Sequence, residues 1–442
     1  ARVLGGGTCL NAGFYSRAPE GYVRAAGWDA ALVDRSYRWV ERGVVHQPVV
    51  RQWQSALRDG LLQAGVAPYH GFTFEHLAGT KVGGSTFDSQ GRRSTAADLL
   101  QHADPARLTV LLWANVHRVL FRHRGMARPA AHGVVFRDKA GGAHRAYLSR
   151  GPKNEILLSA GATGSPKLLM LSGVGPAAHL RSLGIRVVSD HPMVGRGMAD
   201  NPMNGVVVPS PKPVELSLVQ VVGITPSGNN YIEGGSGINF LSLVTGSAPA
   251  MLERETEPNK GEAPKGAFRG GVIIEKVAGP LSTGHLELRS ADPGDTPRVT
   301  FNYFREAEDL RRCVEGMRAV ERVIESGAFA GFRYANVSVA ELLNATAGNA
   351  VNLPPRHGNY DSTSLEQYCR DTVVSIYHYH GGCRVGRVVD RNYQVVGLDS
   401  LRVVDASTFH YNPGTNPQAT VMMLGRYMGM KIQEERLEKI VE

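Results

Sequence analysis

The chain is poor in cysteine. Only Cys9, Cys313, Cys369 and Cys383 occur in 442 residues, and no two of them form a CxxC pair. Four scattered cysteines exclude a fold built on a disulfide framework. No run of about 18 apolar residues occurs, which argues against a membrane-spanning helix. No repeat with a period of 20–50 residues is present, which excludes solenoids and propellers. No GxGxxG appears anywhere, so the usual dinucleotide fingerprint is missing. No charged-then-apolar leader opens the chain, and its first residue is Ala1 rather than Met.

What is present is an ordinary globular composition. Hydrophobic residues make up 42%, charged residues 20%, and there are 52 glycines. The length suggests two or three domains. The net charge is +9, but Lys and Arg are scattered. The one dense stretch, Arg122 to Lys153, reads as a solvated hairpin rather than a nucleic-acid patch. Two sequons, Asn336-Val337-Ser338 and Asn344-Ala345-Thr346, permit glycosylation.

Strand signals occur at Leu108–Ala114, Arg118–Arg122 and Glu155–Ser159. The last runs into Gly161-Ala162-Thr163-Gly164, where Ser165 is expected to cap a helix with Pro166 in its first turn. Pro209 to Lys265 reads as loops around short strands. Gly284–Ser290 and Arg298–Phe304 suggest an antiparallel pair. Leu310, Cys313, Val314, Met317, Val320 and Ile324 recur at helical spacing. Ser364 with Gln367 suggests a capping box. Val373–Tyr377 and Leu401–Val404 read as strands, and Pro417 to about Gln433 as a buried helix. Strand–turn–helix units beside antiparallel strands predict a mixed α/β chain of two interleaved domains.

Four motifs carry chemistry. The first is the glycine cluster Gly5-Gly6-Gly7 leading to Asn11-Ala12-Gly13, where backbone can approach a ligand closely. The second is Gly161–Gly175, whose helix start offers N–H groups to a phosphate or a cofactor edge, or is an ordinary βα turn. The third is Tyr377-His378-Tyr379-His380-Gly381-Gly382-Cys383. His378, His380 and Cys383 invite a metal reading, but no fourth partner stands at zinc-finger spacing, and no metal is expected. The fourth is Asn416-Pro417-Gln418-Ala419-Thr420, in which Asn416 also reads as a helix N-cap.

Together and in this order, the four motifs resemble the glucose–methanol–choline (GMC) oxidoreductase family. His378–Cys383 and Asp190–Met198 resemble its plant branch, which contains HOTHEAD-like proteins and mandelonitrile lyases. The resemblance spans the whole chain. It implies an α/β fold in which a Rossmann-like FAD-binding domain (1–45, 105–205 and 375–442) interleaves with a substrate domain on an antiparallel sheet (46–104 and 206–374). Family members open with a strand and a GxGxxG turn. The chain begins after that unit, so a first βαβ unit of roughly 30 residues or more is expected to be absent.

The resemblance also implies roles. Val3, Gly7, Asn11, Ala12, Gly13 and Phe14 would line the flavin and its phosphates, and Val116 the adenine. Tyr377 and His378 would face the isoalloxazine, with Ala406, Pro417 and Gln418 at its far edge. His378 would be the catalytic base and Asn416 the second active-site residue. The implied activity is oxidation of a small-molecule CH–OH donor, a long-chain alcohol or hydroxy acid, with hydride transfer to FAD. Two alternatives stand beside it. One is a hydroxynitrile lyase, although the plant lyases carry a second His at Asn416 and a Tyr at Ile376. The other is a non-catalytic product unable to hold FAD. A Cys313–Cys369 disulfide is implied by related plant proteins and would fit a secretory location.

Overall fold

The computed structural model describes residues 2–123, 127–151, 153–237, 269–350 and 364–438. Its centre is a seven-stranded sheet. Numbered in chain order, its strands are β1 (Tyr69–Phe72), β2 (Gly79–Val82), β3 (Pro202–Pro209), β4 (Val221–Ile224), β5 (Asn230–Ser236), β6 (Gly270–Val277) and β7 (Val374–Ser375). They lie in the order β7-β3-β6-β5-β4-β2-β1. All neighbours are antiparallel except β1 and β2.

One face is covered by helices. The helix Gln52–Gln63 places Trp53, Leu57 and Leu61 on it, and Ala307–Glu325 adds Cys313, Met317 and Val320. The spacing of these residues is helical, so each helix turns one apolar stripe inward. The sheet makes room with glycine. A Cβ on Gly223 would meet Leu61 at 2.6 Å, and one on Gly271 would meet Trp53 at 2.4 Å. Within 209–265, this is why the strand around Gly223 reads weakly: close packing against a large helix side chain took the place of a β-branched residue. The part of that stretch from 238 to 265 lies outside the described residues.

Several expectations stand. The helix Ala307–Glu325 and the antiparallel pair Gly284–Glu287 with Arg298–Thr300 are present. The basic stretch lies in a three-stranded antiparallel sheet, Asn115–Arg122, Ala130–Arg137 and Ala143–Tyr147. The final helix is Gln418–Glu438, with Ala419, Met423 and Met428 buried. Cys313 and Cys369 form a disulfide. Ser364 caps its helix by accepting from Gln367 N, while the Gln367 side chain turns to Asp371.

Others do not. Leu108–Trp113 forms no strand and is exposed, with Trp113 at 71%. Apolar, β-prone residues need a paired, half-buried surface to become a strand, and the described residues offer them none. Ser165 does not cap the helix. That helix is Gly161–Leu171, with Ser165 and Pro166 inside it. The strand before it, Ile156–Leu158, is parallel to Leu401–Val403, but Leu157 is exposed.

Among the described residues, no helix is long and apolar enough to cross a membrane.

Candidate active site

The second face of the large sheet looks toward the segments that carry the motifs. Val222, Ile224, Tyr231, Val272 and Ile274 make it apolar, with Phe14 packed on it. Period two places three charged residues on the same face. Lys81 pairs across with Val222, and Val222 with Glu233. Lys276 pairs with Tyr231. All three are buried. Lys276 Nζ and Glu233 Oε1 are 2.7 Å apart. Burial drags Lys276 below the ordinary lysine range and Glu233 above the ordinary carboxylate range, while each charge pulls the other back. Among the described residues Lys81 forms no ion pair, although the Glu75 charge favours its ammonium. It donates to Ser16 Oγ at 2.7 Å and to the Glu75 carbonyl, and burial lowers it to about 7.

His378 and Asn416 meet above this face. They stand 38 residues apart in the chain, and the closest atom of the Asn416 amide is 3.5 Å from His378 Nε2. In the orientation that satisfies its neighbours, the amide nitrogen donates to Glu233 Oε1 at 2.9 Å and Thr415 Oγ1 at 2.9 Å. Its oxygen then faces the imidazole. Asn416 is therefore held by the sheet and does not act as a cap two residues ahead of Gln418–Glu438. Lys276 also donates to Thr415 O at 2.9 Å, fixing the same loop. Burial, then the Lys276 charge, then His380 hold His378 well below the usual histidine range. The imidazole is neutral at physiological pH, with Nδ1 buried and unpartnered.

The glycine cluster is tied to the other end of the chain. Asn11 Nδ2 donates to Gln418 Oε1 at 2.8 Å, and Gln418 Nε2 donates to Phe14 O at 2.5 Å. Gly13 N donates to Asn11 Oδ1 at 3.0 Å. Arg93 reaches in from outside the motif, donating to Thr8 O at 3.0 Å and Asn11 Oδ1 at 3.3 Å. Ala12 packs at the edge of the same apolar face as Phe14. Gly7 O accepts from Asn11 N, and Val3 O accepts from Gly6 N. Ala406 O accepts from Gly381 N, and Pro417 O from Val421 N. The structure thus links Asn11, Gly13, Phe14 and Gln418 in one network and His378 with Asn416 in another. Val116 stands apart, opposite Phe136 in its hairpin.

These residues fit a flavin. A Cβ at Gly6 or Gly7 would meet nothing within 4 Å, so the backbone there is open to a ligand. Val3, Leu10 and Tyr377 are exposed apolar or aromatic surfaces. Unpartnered His378 Nδ1 is a buried polar atom of the kind that asks for an explanation.

The second glycine motif does not offer its helix start. Asp405 Oδ2 accepts from Gly161 N at 2.9 Å and from Ser165 Oγ at 2.5 Å. A carboxylate from the chain itself occupies the place where an anion would sit. Nor do His378, His380 and Cys383 converge. His380 Nδ1 is 3.0 Å from His378 O, and burial pushes the Cys383 thiol up, away from the thiolate a metal requires. Among the described residues no cluster of three His, Cys, Asp or Glu side chains is arranged to hold a metal.

Sequence reasoning missed Glu233, Lys276, Lys81 and Arg93. A signal for one of them, Lys276, existed. Glu275-Lys276 interrupts the apolar run Val272-Ile273-Ile274 and Val277, and charge inside a buried strand is seldom idle.

The chain is similar to known proteins along its length. GMC oxidoreductase domains match residues 1–203 and 280–425. Protein HOTHEAD of Arabidopsis thaliana is 48% identical over 99% of this chain and 76% of its own length. (R)-mandelonitrile lyase 1 of Prunus serotina is 40% identical over 98% of this chain and 74% of its own. The fold also matches Aspergillus oryzae formate oxidase, with a TM-score of 0.76 at 18% identity, covering 98% of this chain and 84% of that one. The chain belongs to the GMC oxidoreductase family and is an FAD-dependent oxidoreductase.

Proposed function

We propose that the chain oxidises a small-molecule alcohol, a long-chain alcohol or hydroxy acid, with His378 taking the hydroxyl proton. The observation that carries this reading is the meeting of His378 Nε2 and the Asn416 amide at 3.5 Å. That separation is at the outer limit of a hydrogen bond, so both groups keep capacity for a substrate oxygen. FAD, when bound, supplies the hydride acceptor. Val3, Gly7, Asn11, Ala12, Gly13 and Phe14 would hold it on one side, with Val116 toward its adenine. Tyr377, Ala406, Pro417 and Gln418 would hold it on the other.

The chain's own part is proton handling and orientation. Burial keeps the His378 lone pair free at neutral pH, as a general base needs. Lys276 disfavours the imidazolium once formed, which returns the base to its starting state. Asn416, fixed by Glu233, orients the substrate oxygen.

In the FAD-loaded protein, His378→Ala is expected to slow flavin reduction by an alcohol at least ~100-fold while FAD stays bound. An unchanged stopped-flow rate removes His378 as the base. Release of cyanide from mandelonitrile by the wild-type protein would instead favour the lyase.

The division into a cofactor part (1–45, 105–205 and 375–442) and a substrate part (46–104 and 206–374) belongs to this proposal. It is supported by the large sheet, which lies in the substrate ranges save for residues 202–205 and 375. A secretory location is proposed on the buried Cys313–Cys369 bridge, since such bonds persist in oxidising compartments.

A further inference from the structure

We propose that Asp200 is a positioning residue for His378, its carboxylate fixing the turn that aims the imidazole at Asn416. The inference rests on the reading of His378 as the base.

Asp200 is buried, and among the described residues no lysine or arginine forms an ion pair with it. Its partners are hydrogen-bond donors from separate parts of the chain. Tyr303 Oη donates to Oδ2 at 2.7 Å, as does Ser375 Oγ at 2.7 Å. Oδ1 accepts from the His378 backbone N–H at 2.8 Å. Two of these three donors flank the turn that delivers His378.

That turn is strained. Tyr377 has φ 62°, a left-handed conformation that L side chains adopt only at a cost. Something must hold it. The Tyr377 ring does not, because the residue is 65% exposed and gains little from burial. Hydrogen bonds do. Tyr377 N donates to Ser375 Oγ at 2.9 Å, and that hydroxyl is itself anchored on Asp200. The carboxylate thus grips both ends of the strained residue, one through Ser375 and one through His378 N–H.

The groups facing Asp200 are Tyr303, Ser375, Tyr379, His378 and the charge of Lys276. Burial raises the carboxyl to about 6. Above that pH the ion accepts strongly; below it the grip weakens.

The test uses the full chain and Asp200→Asn, which keeps the shape and removes the charge. The first readout is modification of His378 by diethyl pyrocarbonate, followed by mass spectrometry without FAD. Losing charge-assisted bonds should raise that rate roughly tenfold. The second is anaerobic flavin reduction by 1-octanol in loaded protein, expected to fall roughly tenfold at saturation with FAD affinity within about twofold. Adding Tyr377→Gly relieves the strained turn and should return His378 modification toward the wild-type rate, a rescue that general destabilisation would not give. If Asp200→Asn does not fold, Ser375→Ala removes one arm of the grip, with an expected rise of roughly threefold. Unchanged His378 reactivity overturns the proposal. Unchanged flavin reduction in His378→Ala overturns instead the reading of His378 as base, leaving the reactivity result to decide on Asp200.

Discussion

Glu233 and Glu275 lie on adjacent strands of one sheet, and both are buried. They point to opposite faces, because Glu233 aligns with Ile274 and Glu275 with Ile232. Glu233 meets the Lys276 ammonium and the Asn416 amide. Among the described residues, Glu275 accepts from the Asn230 amide at 3.0 Å, and its second oxygen has no hydrogen-bond partner. Burial drives Glu275 well above its ordinary range, with the Asn230 amide and then the Lys276 charge pulling it partly back. The same residue type, equally buried, has an ammonium at 2.7 Å on one face and an amide partner on the other. The neighbours decide, and the face with a cation is the face that carries the site.

The strongest way to break this contrast is Lys276→Met, which leaves Glu233 as isolated as Glu275. Removing one member of a buried pair is expected to cost about 3–5 kcal/mol, read by urea unfolding, and to slow flavin reduction. A loss under ~1 kcal/mol means that Glu233 was already neutral. Next in size is the disulfide, which lies on the helix-covered side with Glu275. Replacing Cys313 and Cys369 by Ala removes a cross-link over 56 residues and should cost roughly 2–4 kcal/mol. Flavin reduction in the still-folded variant should match wild type, and a slower rate would mean that the two faces are coupled.

At pH 5 the third effect is the smallest, and it sharpens the contrast by pH. Burial makes folded Glu275 keep its proton to higher pH than unfolded chains, which release it near 4.5. Its contribution is complete below that pH and is lost as pH rises through the folded value. Glu275→Gln should therefore match wild type at pH 4 and gain on it at ~1.4 kcal/mol per pH unit above 4.5. Parallel stability curves would show that Glu275 ionises in place.

The sequence spoke clearly where one local pattern sufficed. Met317 and Val320 sit at helical spacing, and the helix is there. His378 and Asn416 were legible because their neighbours are distinctive. It spoke poorly where packing made the choice. Gly223 looks like a loop residue until Leu61 is seen against it. Ser165 looked like a cap until Asp405, 240 residues away, took its hydroxyl. Glu233 is silent as a letter, and Lys276 signals only a buried charge, since the sheet register alone brings them together beneath Asn416.

The bond between Asn11 and Gln418 spans 407 residues. A ribosome must add 407 residues beyond Asn11 before that contact can form. Nascent chains fold from the N-terminus as they emerge, so the glycine segment stays unanchored while all of those residues are made. A chain cut anywhere ahead of Gln418 leaves Asn11 without this clasp.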